Sequence, residues 1–97
     1  MLFAVALIPT VRGPLRALAP DLANCDLEGT TEQELLPRLR LAMEAEITRL
    51  LLAGMPLPDT REGRPPDNPA TPASARWMNL HINMAHLEAL ARHQRGR

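Results

Sequence analysis

Residues 19–58, APDLANCDLEGTTEQELLPRLRLAMEAEITRLLLAGMPLP, constrain the fold most, because a strand-ending Pro-Asp-Leu leads through Gly-Thr-Thr into a long amphipathic helix. Pro20 fixes φ and ends a strand, Asp21 can bond forward into its own turn, and Gly29 gives the backbone freedom before the helix. Thr31 followed by Glu34 is a capping-box signature, in which each side chain satisfies the other's exposed N–H. A helix from Thr31 to about Ala53 follows, with Leu36, Leu39, Met43, Ile47, Leu50 and Leu51 as the stripe that covers a sheet. Pro37 removes a bond to the Gln33 carbonyl, so a kink or a true start near Leu36 is expected. Gly54 stops the helix, and Pro56 and Pro58 prevent resumption.

Upstream, the unbroken apolar run Leu2 to Ile8 reads as a strand covered on both faces or central in a sheet. Arg12-Gly13-Pro14 reverses the chain. In Leu15 to Ala19, alternation puts Leu15, Ala17 and Ala19 on one face, and Asn24 to Glu28 follows as a third strand with Cys25 and Leu27 together. The three form an antiparallel meander. Residues 58–75 hold five of the ten prolines and have no periodicity, which predicts a loop or mobile connection without chemistry. Arg76 to Ile82 alternates Trp77, Asn79 and His81 with Met78, Leu80 and Ile82 as a last strand. Met84 to Gln94 closes as a short helix with Leu87 and Leu90 or Ala91 inward. The expected fold is α/β of the α+β kind: a three-stranded meander, a long helix packed on it, a fourth strand and a short C-terminal helix, all in one domain over 1–97.

The order of these motifs resembles the N-terminal domain of HicB-type antitoxins. That family carries Pro-Asp-Leu-Pro-Gly-Cys, then Gly-x-Thr, then a helix ending near Gly-x-Pro-x-Pro. Without gaps the pattern falls on Pro20, Asp21, Leu22 and Cys25, on Gly29 and Thr31, and on Gly54, Pro56 and Pro58. Ala23 and Asn24 replace the family's Pro-Gly, and Pro37 stands where Glu or Lys is usual. The resemblance implies a reduced ribonuclease H fold that lacks catalytic carboxylates. It also implies an antitoxin of a type II pair that neutralises a HicA-like RNA-cleaving toxin by covering it.

Composition narrows the alternatives. Eleven Arg balance eleven Asp plus Glu, so the whole chain has no electrostatic reason to condense on nucleic acid or an anionic membrane. The first 75 residues are acidic, ten to seven, and residues 76–97 carry a basic surplus of three. The acidic part suits a basic partner, with Asp26, Glu28, Glu32 and Glu34 as rim charges. Phe3 and Trp77 are the only aromatics, too few for a stacking platform on single-stranded RNA. The last strand, with Trp77, Leu80 and Ile82, is the expected surface for self-association into a dimer or larger homo-oligomer. No run is long and apolar enough for a membrane span, the apolar start lacks the basic residues of a signal peptide, and the single Cys25 forms no intramolecular disulfide. These features make cytoplasm the expected location.

Catalytic and metal readings are weaker. Asp21, Asp26 and Glu28 lie near one another, but alternation puts Asp26 and Glu28 together on a solvent face. His81, His86 and His93 have no metal-ligand spacing, and Cys25 lacks a base or helix N-terminus to activate it. No enzyme activity, metal or cofactor is expected. The rival reading makes residues 76–97 the start of a ribbon-helix-helix DNA-binding regulator, but only Arg95, Gly96 and Arg97 follow the expected first helix. An orphan HicB-like domain without a toxin is a further possibility.

Overall fold

A computed structural model describes residues 1–66 and 72–95. Strands β1 (Leu2–Pro9), β2 (Leu15–Leu18), β3 (Asp26–Gly29) and β4 (Arg76–His81) form one antiparallel sheet in the order β3-β2-β1-β4. Helix α1 (Glu32–Ala53) packs on one face, and α2 (Met84–Arg95) packs against α1. The expected α+β architecture is therefore present. Its strand ends differ by one or two residues from the sequence expectation, most at β3, which begins at Asp26 because Asn24 and Cys25 finish the preceding turn.

Strand β1 is central, and every residue from Phe3 to Ile8 is buried. Phe3, Val5 and Leu7 join Ala17, Leu80 and Ile82 in a core closed by Leu35, Leu39, Met43 and Ile47 of α1. The register pairs Val5 with Met78 and Phe3 with Leu80, which keeps the aliphatic face of β4 on this side. Ala4 and Ala6 face the other way with Asn79 and Trp77, their partners on β4.

The helix cap forms through one of its two expected arms. Thr31 Oγ1 accepts from the Glu34 N–H at 3.2 Å, but the Glu34 carboxylate accepts instead from the Thr30 hydroxyl at 2.6 Å. Helix α1 then runs without a break from Glu32 through the exposed Pro37, so it does not begin near Leu36. The core stripe is also rotated from expectation. Leu35 is fully buried and Leu36 half-buried, and Leu35, Leu39, Met43 and Ile47 line up over the sheet at four-residue spacing. Gly54 ends the helix at φ 68°, with its N–H donating to the Leu51 carbonyl and the Met55 N–H to that of Leu50. This is a Schellman stop.

The Pro-rich connection contributes more than a loop. Arg61, Glu62 and Gly63 form a single tight turn in which all three φ angles are positive, 53°, 57° and 84°. It packs against β1 and β4. A Cβ on Gly63 would lie 2.6 Å from Asn79 Oδ1, so the turn sits on the sheet face opposite α1 and requires glycine there. Residues 67–71 of this connection, and Gly96 and Arg97, lie outside the described part.

Candidate functional site

The run that dominates the sequence becomes the connection from β2 to the start of α1. Ala19 donates to the Cys25 carbonyl at 2.9 Å and Leu22 donates to Ala19 at 3.1 Å, closing a compact turn with Leu22 and Cys25 buried beneath it. Asn24 adopts φ 61°, a left-handed conformation that asparagine tolerates. It occupies the position at which the resembled pattern has glycine, the residue that adopts this conformation most readily. Pro20 is exposed above the turn, and Gly29 lies 3.2 Å, measured from an added Cβ, from Leu35 Cδ1.

Asp21 is anchored across the molecule. Its carboxylate accepts from Arg61 Nη2 at 2.7 and 3.0 Å, and the Asp21 side chain is only 9% exposed. The expected use of Asp21 within its own turn gives way to this long-range pair. Arg61 is further positioned by Asp59, whose Oδ1 accepts the Arg61 N–H at 2.9 Å and whose carbonyl accepts Nη1 at 3.0 Å. Two consecutive non-glycine residues at positive φ, Arg61 and Glu62, are costly conformations, and these bonds hold them. The sequence gives little signal for Arg61, because its partner lies 40 positions away in a segment without periodicity.

The four acidic candidates divide between two elements: Asp26 and Glu28 alternate with Leu27 on β3 and face away from α1, and Glu32 and Glu34 stand in the first turn of α1. Asp26 accepts from Arg16 Nε at 2.7 Å and from Nη2 at 2.5 Å; this pairing holds the Asp26 carboxyl below, and the Arg16 guanidinium above, their ordinary pKa. Glu34 lies 3.5 Å from Arg38, and Glu32 pairs with Arg76 of β4. Glu28 is exposed, and its backbone carbonyl accepts from Arg38 at 3.3 Å. Asp26, Glu34 and Glu32 thus each have an arginine beside them: Arg16 of β2, Arg38 of α1 and Arg76 of β4.

The self-association candidates divide between two faces. Leu80 and Ile82 are buried in the α1-side core and are not available to a second chain, whereas Trp77 is half-buried on the opposite face beside Gly63, Arg64 and Pro65. Among the described residues the outer edge of β4 has no neighbouring strand. At its C-terminal end the His81 carbonyl is taken by Arg40. Residues 76–95 close the domain: β4 pairs with β1 over six positions and α2 packs on α1.

The nucleophile and metal readings find no supporting geometry. Cys25 is 1% exposed, and burial, reinforced by the charge of Glu46, pushes its thiol up to about 11. The thiolate needed for nucleophilic chemistry is thereby disfavoured. Among the described residues no three His, Cys, Asp or Glu side chains are placed to hold a metal ion, and no helix is long and apolar enough to cross a membrane.

Among solved structures, the chain is similar to one described as a HicA3 and HicB3 toxin-antitoxin complex. The TM-score is 0.61 at 23% identity, over 86% of this chain and 99% of that chain. The likeness carries the fold. No protein-family model and no curated protein matches the sequence.

Proposed function

We propose that this protein is the antitoxin of a toxin-antitoxin pair and neutralises a HicA-like RNA-cleaving toxin by direct binding, without catalysis of its own. The observation that carries the reading is a coincidence of motif and fold. The Pro20-Asp21-Leu22, Cys25 and Gly29-x-Thr31 run resembles the antitoxin pattern, and it lies in a domain whose fold is like a chain of a toxin-antitoxin complex. The buried, pairing and capping roles of these residues support a shape-preserving motif that builds a binding scaffold.

In this reading the toxin meets the acidic residues of β3 and of the first turn of α1. Asp26, Glu32 and Glu34 are each engaged by an arginine of the same chain, so Glu28 is the acid most available to steer a basic partner. Co-expression with the small reading frames that flank the gene tests the function: one frame alone arrests growth, this chain rescues, and the two co-purify. Absence of any toxic frame and of any complex removes the antitoxin reading. With a complex in hand, Glu28→Lys slows association at low salt more than Asp26→Lys does. Equal association rates for both variants and the unaltered chain would remove the β3–α1 surface while leaving the antitoxin role standing.

A further inference from the structure

Among the described residues six large hydrophobic side chains are exposed; Leu2 and Val11 belong to β1 and the turn after it, and the other four belong to the helices or the helix end. Leu41 is 66% exposed and Leu52 38% on the side of α1 turned away from its core stripe, with Leu90 of α2 at 41% and Met55, just past the end of α1, at 50%. On α1 the sequence Leu41, Ala45, Thr48, Leu52 advances by four, three and four residues, a stripe opposite the core stripe of Leu35, Leu39, Met43 and Ile47. Met55 follows the left-handed Gly54 and lies exposed at the end of this stripe. Ala45 and Thr48, at the middle, are small enough for another helix to approach closely. Leu90 of α2 stands beside them as the wall of a groove floored by Ala45, Thr48 and Leu52.

The charges flanking this stripe specify an occupant. Glu44 immediately precedes Ala45 on one flank and Arg49 immediately follows Thr48 on the other, five residues apart. When two copies of such a helix pack in parallel, the flank residue before one position meets the opposite flank residue five positions on in the other copy, giving two Glu44 to Arg49 contacts related by symmetry. In an antiparallel pair like flanks meet, bringing glutamate beside glutamate and arginine beside arginine. Arg49 is more than half exposed while it bonds Glu46 of its own helix, so its guanidinium can serve a second carboxylate.

We propose that the outer face of α1 is a homodimer interface on which a second copy docks its own α1 in parallel, with Leu90 of α2 packing at the margin. The interface is independent of the antitoxin role and lies on the side of the molecule opposite the sheet. It leaves both edges of the sheet free.

The test uses the full chain in sedimentation velocity over a concentration series. The unaltered protein dimerises reversibly, and Leu52→Glu and Leu41→Glu, both at exposed positions, weaken the dimer about tenfold or more while circular dichroism and the melting temperature stay near the original. Glu44→Arg and Arg49→Glu each weaken self-association, and mixing the two variants restores it, because only the mixed dimer regains opposite charges at both contacts. In a Cys25→Ala background, Leu52→Cys cross-links to its own counterpart under mild oxidation, which a parallel arrangement allows and an antiparallel one does not. A monomer at every concentration overturns the proposal. So does a dimer indifferent to the two leucine variants, or one in which Leu52→Cys does not cross-link.

Discussion

Cys25 has an unusual solitude in the titration of this protein. The chain contains no tyrosine and no lysine, so this thiol is the only side chain whose ordinary pKa falls between those of histidine and arginine. Burial raises it from 9.0 to about 11. A raised pKa means that the folded state prefers the protonated thiol. The corresponding stability is complete below pH 9.0 and is lost as pH rises towards 11. Two units correspond to about 3 kcal/mol at the alkaline limit. Denaturant unfolding across pH 8 to 11 is therefore expected to show a marked alkaline decline that Cys25→Ala flattens. An identical decline in the variant would place its origin elsewhere. The same burial makes Cys25 slow to react with thiol reagents until the protein unfolds, as befits a small hydrophobe in the core.

Helix α1 records how much local sequence determines and where it stops. Its cap, its stop and its length were legible because Thr31, Gly54 and the apolar period act within a few residues of themselves. Pro37 lacks the N–H for a bond to Gln33, yet α1 continues through it, because packing of Leu35, Leu39, Met43 and Ile47 on the sheet outweighs the loss. The turn at Arg61 was not legible, since its stability comes from Asp21, far away in sequence, and from the face of β1 and β4 beneath it. For the same reason the acidic candidates could be named but not their partners. Asp26 meets Arg16 through strand register, and Glu32 meets Arg76 only once β4 has joined the sheet. If tertiary packing carries α1 through Pro37, then Pro37→Ala, at an exposed position, recovers the Gln33 bond. It should raise unfolding stability by about 1 to 3 kcal/mol. No gain would indicate that the Gln33 carbonyl is already satisfied.

At the scale of the molecule, charge balance is achieved by interleaving. The Asp26–Arg16 and Glu46–Arg49 pairs hold both carboxyls below their ordinary pKa, each chiefly through the hydrogen bond from its arginine. A depressed pKa means that the folded state prefers the ionised carboxylate. This contribution is present above the unfolded pKa, about 4, and disappears as pH falls through the lower folded value. Asp26 and Arg16 are substantially solvated, with side chains 43% and 37% exposed, so water and salt screen their attraction. The acid limb should accordingly be shallow and salt-sensitive. Melting temperature is expected to fall gently from pH 5 to 3, and the fall should lessen with added salt. It should flatten further in Asp26→Asn combined with Glu46→Gln. Should the double variant decline as steeply as the original, these pairs would not be the source of acid sensitivity. A surface held together by weak pairs of this kind can exchange its internal arginines for those of a partner at little cost. It is the property that the proposed toxin-facing surface on β3 and the start of α1 needs.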